Sequence, residues 1–315
     1  MGFTNKEDNF MSVVAYVHND GQDALTFVKN VSEVLDENFK KYEIILVDDA
    51  SEDNGMDLVR QHAEGCGCMV QIVHMSYFQG VELAMNAGVS LAIGDFVLEF
   101  DSVQMDYEPG LIMEVYNRSL QGYDIVSAAP EGGGAVSSRL FYSLFNHFSK
   151  VKHKLRTERF RVLSRRVLNR IHSMSKTVPY RKALYMNSGL ACDTLLYSPN
   201  EKQKCTLGGD IAQNVFRRRM AIDSLILFTD FGYKTAFGLS CFMLILTALL
   251  AVYTLCVYSM SIPVEGWTST VLILCFGFCG IFSVATIIIK YLDVLMGLVF
   301  KKRTYTVESI EKLKA

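Results

Sequence analysis

An excess of charge of one sign is absent from this 315-residue chain, which sets 31 Lys and Arg residues against 33 Asp and Glu residues, for a formal net charge of −2. Proteins that bind nucleic acid usually carry a strongly basic surface, so this balance gives no electrostatic signal for such a partner. We therefore predict that the chain binds no nucleic acid.

A zinc-type cysteine arrangement is lacking as well. The chain has eight cysteines, yet Cys66 and Cys68 have no second pair of Cys or His residues at the spacing of a structural zinc site. The first ten residues are polar and hold no apolar segment of the kind found in a secretory signal. We expect the cysteines to be reduced thiols, which suits a protein that faces the cytosol.

Two short apolar runs are present, and each ends in aspartate. Residues 43–47 precede Asp48 and Asp49, and residues 96–100 precede Asp101. Such runs are typical of strands buried on both faces of a parallel sheet. Ligands of open α/β sheets bind beyond the carboxyl ends of these strands, where aspartate oxygens can hold a divalent cation. Asp101 could equally cap a loop, and the run by itself leaves both interpretations open.

Three motifs built around these strand ends resemble those of glycosyltransferase family 2. The family's "DDxSxD" is matched at residues 48–53, and its "GDxxxxxDxD" is matched from Gly94 to Asp101. Its "GxxxAxNxGxxxAxGD" run is matched at Gly80, Ala84, Asn86, Gly88, Ala92, Gly94 and Asp95. Within the family, the chain most resembles the polyprenyl-phosphate sugar synthases. The resemblance implies an α/β protein of the GT-A fold, which is Rossmann-like with a mostly parallel sheet.

The resemblance also implies roles for individual residues near the donor. The nucleotide-binding positions would be Asn19, Asp20, Asp48, Asp49, Gly80 and Asn86. Asp101 would hold Mg²⁺ or Mn²⁺, with help from Gln104. Compared without a gap, Val103 stands where the family has the second aspartate of its Asp-x-Asp motif; with one residue deleted, Val103 and Gln104 instead match the family's following Leu-Gln, and Glu108 matches its Glu. Either alignment leaves one metal-binding carboxylate missing. Because hard cations are held by the sum of their oxygen ligands, we expect the metal to be bound weakly.

The catalytic set implied by the resemblance is Asp101, Asp106, Arg161 and Arg165. The two arginines match a family motif on the acceptor side, where a guanidinium can hold a phosphate through two parallel hydrogen bonds. They could instead pair with acidic side chains of the chain itself. Residues 182–198, which follow this motif, are predicted to form a strand, a turn and a second strand.

The last quarter of the chain contains two runs of 22 residues without a charge, at 237–258 and 268–289. About 20 apolar residues span a bilayer as a helix, so we predict a hairpin of two transmembrane helices. Lys and Arg flank the runs and are missing between them, which places both termini in the cytosol by the positive-inside rule. The predicted domains are a GT-A domain with interfacial helices (1–230), the hairpin with a juxtamembrane helix (231–300) and a cytosolic tail (301–315).

Together these features predict a membrane-anchored, inverting glycosyltransferase for a cell-envelope polysaccharide. It would move a sugar from a UDP- or GDP-linked donor to a polyprenyl phosphate on the cytosolic face, at the inner membrane of a bacterium. A homo-oligomer is an open alternative to a monomer. Two other functions stay open: a catalytically impaired paralogue that serves as a binding or scaffold subunit, and a transferase that extends a lipid-linked glycan.

Overall fold

The structure is a computed structural model that describes residues 6–63, 69–132, 136–148, 155–174, 180–200, 218–223, 267–300 and 305–313, with single positions between 215 and 249. The chain divides into two compact units. The first unit comprises Met1–Asn146, Val151–Met220 and Lys302–Ala315, and the second comprises His147–Lys150 and Ala221–Lys301. The sequence set the last 15 residues apart as a tail, whereas in the structure they belong to the first unit.

The first unit is built on one eight-stranded sheet. Its strands are β1 (Met11–Val17), β2 (Tyr42–Asp48), β3 (Met69–Met75), β4 (Phe96–Phe100), β5 (Ile125–Pro130), β6 (Phe160–Ser164), β7 (Cys192–Tyr197) and β8 (Val307–Leu313). Their order across the sheet is β7–β5–β6–β4–β1–β2–β3–β8.

Seven helices of this unit connect or flank the strands. They are α1 (Gly21–Asn38), α2 (Gly55–Ala63), α3 (Val81–Leu91), α4 (Leu111–Ser119), α5 (Val136–Phe148), α6 (Arg165–Met174) and α7 (Arg181–Asn187). The predicted strand–turn–strand at 182–198 is therefore wrong in its first half, because Arg181–Asn187 is helical. Tertiary contacts of the charged residues at the start of α7 explain this, and the local sequence does not report them.

The central strands are buried on both faces, as their apolar sequences predict. All seven residues of β1 are buried, and β1 pairs in parallel with both β2 and β4. β2 pairs in parallel with β3, and β5 with β7. β6 runs antiparallel to β4 and β5, and β8 runs antiparallel to β3. The GT-A-type, Rossmann-like sheet is thus confirmed, but it is a mixed sheet.

Close packing of α3 on the sheet depends on one glycine. A Cβ atom at Gly88 would lie 2.5 Å from a methyl group of Val47 in β2 and 2.6 Å from a methyl group of Val14 in β1. The helix can approach the two strands this closely only because position 88 has no side chain. This contact brings the start of α3 to the carboxyl edge of the sheet.

The C-terminal strand β8 covers the edge that β3 would otherwise expose. Six of its seven residues pair antiparallel with β3, with a register irregularity at His74 and Met75. Arg60 of α2 donates to both carboxylate oxygens of Glu311 in β8, at 2.8 and 3.0 Å. Thr306, just before β8, exchanges hydrogen bonds with the side-chain amide of Gln79, at 2.8 and 3.0 Å.

The second unit contains helix α8 (Trp267–Phe300), which has 34 residues and includes the second of the two uncharged runs. In this second unit, Lys290 of α8 pairs with Asp223 at 2.8 Å. The first uncharged run, 237–258, lies largely outside the described residues. Among the residues that the structure describes, no helix has the length and apolarity needed to cross a membrane, so the predicted transmembrane hairpin is not seen.

Replacing Gly88 by Ala is expected to lower the free energy of unfolding by about 1–3 kcal/mol, because the new methyl group would overlap two β-branched side chains of the sheet. Denaturant unfolding of the purified chain measures this loss. Gly110→Ala is the matched control, since a Cβ there meets no atom within 4 Å. Equal stability of the two variants would contradict the close contact of α3 with the sheet.

Candidate active site

The acidic ends of β2 and β4 lie at the same edge of the sheet. Both strands flank β1 in parallel, with Asp48 level with Val17 and Phe100 level with Ala15. Asp49 and Asp101 are each one residue further, on strands two spacings apart and offset by two residues along β1, so their Cα atoms are about 12 Å apart. The predicted convergence of these carboxylates beyond the carboxyl ends of the strands is present in the structure.

Asp49 is fully buried and fixes the loop that leads into α3. Its carboxylate accepts hydrogen bonds from the backbone N–H groups of Gln79 and Gly80 at 2.8 and 2.7 Å, and from the Tyr16 hydroxyl at 3.0 Å. Gly80 has a φ of 84°, a conformation that favours glycine. Burial raises the pKa of Asp49, and these hydrogen bonds oppose the rise. The carboxylate thus shapes the loop rather than standing free for a ligand.

Asp48 is tied to the C-terminal strand through a histidine. His74 Nδ1 lies 2.9 Å from the carboxylate of Asp48, and His74 Nε2 lies 3.5 Å from Glu311 in β8. The backbone N–H of Ser51 also donates to Asp48, at 3.1 Å. A side chain predicted to contact the donor is therefore oriented in part by residues near the end of the chain.

The turns after β1 and β2 are bound to each other by side chains. Asn19 has a φ of 56°, its backbone N–H donates to Ser51 Oγ at 3.1 Å, and its side-chain oxygen accepts from the backbone of Glu52 at 2.8 Å. Ala50 has a φ of 54°, a value that a residue with a Cβ rarely adopts. Strained backbone of this type is concentrated at ligand-binding turns.

Asp53 joins the N-termini of two helices. One of its oxygens accepts from the backbone N–H of Gly21 at 2.9 Å, and the other accepts from that of Gly55 at 3.2 Å. The two glycines are so close that a Cβ on Gly21 would lie 2.1 Å from the Cα of Gly55. The "DDxSxD" motif therefore builds a rigid double turn at the edge of the sheet. The nearby Asp20, predicted to bind the nucleotide, is partly exposed, and Asn86 is half-buried within α3.

Asp101 is held by three cations. Its Oδ2 lies 2.7 Å from Arg161 Nη2 and 3.3 Å from Lys182 Nζ, and its Oδ1 lies 2.7 Å from Arg181 Nη2. The side chain is 20% exposed, so it stands at the border between the buried cluster and solvent. Burial would raise the pKa of Asp101, but the charges of Arg161, Lys182 and Arg181 outweigh it and hold the pKa far below its usual value.

The two arginines are anchored from inside the protein. Arg161 pairs across the strands with Glu99 at 2.9 Å, and Arg181 pairs with Glu99 at 3.0 Å and with Glu82 at 3.0 Å. Arg161 and Arg181 are 1% and 2% exposed. Tyr185 donates to the other oxygen of Glu99, at 2.5 Å. Arg161 Nε also lies 3.2 Å from a carboxylate oxygen of Glu158. We call Glu82, Glu99, Asp101, Glu158, Arg161, Arg181 and Lys182 the charged cluster.

The other predicted catalytic residues have structural contacts. Arg165 donates to the backbone carbonyls of Ala92 and Gly94. These bonds leave few N–H groups of its guanidinium for a phosphate. Asp106 is 3% exposed and pairs with Arg159 at 2.8 Å and with the Tyr197 hydroxyl at 2.6 Å. The predicted acceptor-binding role of Arg161 and Arg165 and the catalytic role of Asp106 stay predictions, and their observed partners disfavour them.

Ligands for a divalent cation are too few around Asp101. Both of its oxygens already face cations, whereas Mg²⁺ and Mn²⁺ require several oxygens with spare negative charge. Val103 lies in the hydrophobic core at 2% exposure, and the Gln104 side chain hydrogen-bonds to Asp20. Across the described ranges, no three His, Cys, Asp or Glu side chains are grouped so as to hold a metal ion. The residues present therefore do not fit the predicted metal.

The sequence motifs did not point to Arg181 and Lys182. Both lie on α7, about 80 residues after Asp101 in the chain, and the prediction treated this stretch as part of a strand. The only sequence signal was a pair of basic residues, Arg181-Lys182, beginning an otherwise apolar segment. Such a pair is usually solvated, so the signal was weak.

A cleft of about 550 Å³ opens beside the carboxyl end of β5. It is bordered by Pro130 at the end of β5, by Tyr142 and Asn146 of α5, and by Arg156 in the segment before β6. Asn146 holds that segment by two hydrogen bonds to the backbone of Leu155, at 2.8 and 2.9 Å. Tyr142 also interacts electrostatically with Lys182, so the cleft adjoins the charged cluster.

Comparison with known proteins identifies the family to which this chain belongs. The chain matches the sequence profile of glycosyl transferase family 2 over residues 12–175. The chain belongs to glycosyltransferase family 2. The match includes both acidic strand ends and strand β6, and the predicted family is confirmed.

Similar proteins include three curated relatives. An uncharacterized glycosyltransferase of Synechocystis sp. is 28% identical over 181 residues, 56% of this chain and 56% of that protein. An uncharacterized glycosyltransferase of Bacillus subtilis is 24% identical over 197 residues, which is 61% of this chain and 60% of that protein. An undecaprenyl-phosphate 4-deoxy-4-formamido-L-arabinose transferase of Edwardsiella ictaluri is 32% identical over 121 residues, which is 38% of this chain and 37% of that protein. The chain thus spans between a third and two thirds of these relatives.

Among solved structures, a similar one is glucosyl-3-phosphoglycerate synthase from Mycobacterium tuberculosis, crystallised with Mn²⁺, UDP-glucose and phosphoglyceric acid. It is 15% identical, with a TM-score of 0.49, over 69% of this chain and 79% of that chain.

Glu99→Gln is expected to lower the free energy of unfolding by about 3–5 kcal/mol, because it removes the charge that balances two buried arginines. Denaturant unfolding of the purified chain measures the loss. Asp193→Asn is the control: it breaks a partly exposed pair with Arg118, 2.6 Å long, and is expected to cost about 0–1 kcal/mol. A loss as small for Glu99→Gln would contradict the burial of the charged cluster.

The depressed pKa of Asp101 predicts a pH dependence of stability. A carboxyl group with a pKa lower in the folded than in the unfolded chain stabilises the fold above its unfolded pKa, and this contribution is lost as the pH falls. The stability difference between the wild-type chain and Asp101→Asn should therefore be larger at pH 6 than at pH 3. Unfolding measured at both pH values tests this, and a constant difference would contradict the three ion pairs.

Proposed function

We propose that this chain is a membrane-associated, inverting glycosyltransferase that moves a sugar from a nucleotide-sugar donor to a polyprenyl phosphate. One observation carries the proposal. The acidic ends of β2 and β4 converge at the carboxyl edge of a GT-A-type sheet, where ligands of open α/β sheets bind. The family match and the name of the Edwardsiella relative support the choice of substrates.

The donor would occupy the double turn after β1 and β2. Its walls are the turn of Asn19, the turn of Ala50 and the loop that Asp49 holds in front of α3. A UDP- or GDP-linked sugar would extend its diphosphate from there toward Asp101 and the cations around it. These fixed charges lie where negative charge develops as the nucleoside diphosphate leaves, which is where preorganised electrostatic stabilisation is most effective.

The reaction needs no strong base with this acceptor. An oxygen of the polyprenyl phosphate, already an anion, would attack the anomeric carbon from the face opposite the leaving group. The bond from that carbon to the diphosphate would break, and the nucleoside diphosphate would leave with the electron pair. A hydroxyl acceptor would require a base. Of the two candidates, Asp106 is occupied by Arg159 and Tyr197, whereas Glu108 is exposed. The contacts of Asp106 favour a phosphate acceptor over the hydroxyl of a lipid-linked glycan.

The acceptor phosphate would lie in the cleft beside β5. Arg156 borders this cleft and is exposed, unlike Arg161, which is buried in the charged cluster. Tyr142 borders the same cleft. A phosphate bound there would face the end of β4, as transfer requires.

Membrane association would come from the second unit. The sequence of this unit contains the two uncharged runs, and several large apolar side chains of α8 are 46–65% exposed: Leu274, Phe276, Phe278, Ile281, Ile288, Leu292 and Leu295. Such a surface is rarely left to water. A lipid acceptor and a water-soluble donor would meet at the membrane surface, with the first unit in the cytosol.

A direct transfer assay tests the proposal. The purified full chain in nanodiscs would be incubated with undecaprenyl phosphate and radiolabelled UDP- and GDP-sugars, with undecaprenol as the neutral acceptor control. Transfer is expected with the phosphate alone. Asp101→Ala should reduce it by about 10² or more, because Arg161, Arg181 and Lys182 lose the carboxylate that fixes them at this edge, whereas the exposed Glu114→Ala should not. No transfer from any donor, with nucleotide binding retained, would favour a non-catalytic paralogue.

A further inference from the structure

We propose that Arg161, Arg181 and Lys182 take the place of a divalent cation, so that this protein binds the donor diphosphate without metal and Lys182 contacts it directly. The inference rests on the proposed function, since it concerns the same donor site. It begins from the disagreement between the family's metal-binding motif and the side chains that stand here.

Asp101 is already paired with positively charged side chains. In the motif, two aspartates would offer negative charge to a cation. Here Val103 replaces one of them in the core, and the other is neutralised by three cations at 2.7, 2.7 and 3.3 Å. A metal ion would have to displace these cations or lie beside them. Side-chain cations therefore already stand beside Asp101, where a metal would lie, although the charged cluster as a whole has four carboxylates against three cations.

Arg161 and Arg181 are fixed in place, whereas Lys182 can change its partner. Arg161 and Arg181 each bind an inner carboxylate, and both side chains are almost fully buried. Of the described carboxylates, Lys182 forms an ion pair with Asp101 alone, and this is the longest of the three pairs around it. A lysine ammonium is a compact charge on a flexible stem, so it can turn from one anion to another.

Lys182 and Asp101 form the outer side of the charged cluster. This side is at the carboxyl edge of the sheet, where the donor would lie. When a diphosphate arrives, Lys182 can pair with it while the two arginines keep Asp101 neutralised. The inner carboxylates then hold the arginines, and the ammonium compensates the charge of the leaving group.

Binding of UDP and of GDP to the full chain, measured by titration calorimetry, tests this inference. One arm contains EDTA and the other contains 2 mM MnCl₂, a concentration on the order used to saturate metal-dependent nucleotide sites. The expected dissociation constant is the same within about twofold in both arms. Binding that disappears in EDTA and returns with Mn²⁺ would overturn the proposal.

Variants of Lys182 give the second readout. Lys182→Met is expected to weaken nucleotide binding by about tenfold or more in both arms, and Lys182→Arg should restore most of it because the charge returns. Lys29→Met, an exposed position on α1, is the matched control. Thermal unfolding of each variant distinguishes lost binding from lost folding, and the wild-type EDTA comparison needs no variant. Wild-type affinity in a folded Lys182→Met chain would refute the role of Lys182.

The outcomes separate this inference from the proposed function. Metal-independent nucleotide binding without transfer to undecaprenyl phosphate would support the cation replacement and contradict the proposed acceptor. Transfer that stops in EDTA and resumes with Mn²⁺ would support the proposed function and overturn the replacement. A chain that binds neither nucleotide in either arm would contradict both.

Discussion

Charges removed from water must be paired, and this constraint organises the centre of the first unit. Glu82 on α3, Glu99 on β4 and two arginines from β6 and α7 meet below the edge of the sheet. None of them could be buried alone, because the loss of hydration would far exceed any packing gain. The cluster therefore ties four separate elements into one arrangement, with Asp101 at its outer end. The chemistry proposed for this edge depends on how firmly that arrangement is held.

Much of the first half of the fold follows from local sequence. The strands that end at Asp48 and Phe100 lie where their apolar runs predicted them, because burial on both faces of a sheet selects apolar residues at consecutive positions. The convergence of Asp49 and Asp101 follows from parallel pairing around β1. The helix at Arg181 and the strand at Val307 were missed. Each is fixed by partners far away in the chain, namely Glu82 and β3, and no local pattern reports such partners.

The roles of single residues were harder to predict than their positions. Family motifs placed Arg161, Arg165 and Asp106 at the site. Arg161 lies level with Glu99 near the carboxyl end of β4, whereas Arg165 follows β6 at the amino end of β4, away from Asp101. Their hydrogen bonds, however, go to Glu99, to backbone carbonyls and to Arg159. A motif indicates which side chain is present, whereas the partners decide whether its charge is available to a ligand. In this chain Val103, which stands in place of an acidic residue, was a sequence signal of a changed site.

The antiparallel pairing of β8 with β3 has a consequence for the order of biosynthesis. A chain emerging from the ribosome has made seven of the eight strands once it has passed residue 197, but the last one follows about 110 residues later. Until then the backbone groups along β3 are open to pairing with another chain, which is a known route to aggregation. Completion of the eight-stranded sheet must therefore wait until all of the second unit has been translated. A nascent chain stalled within that unit would expose the unpaired rim of β3.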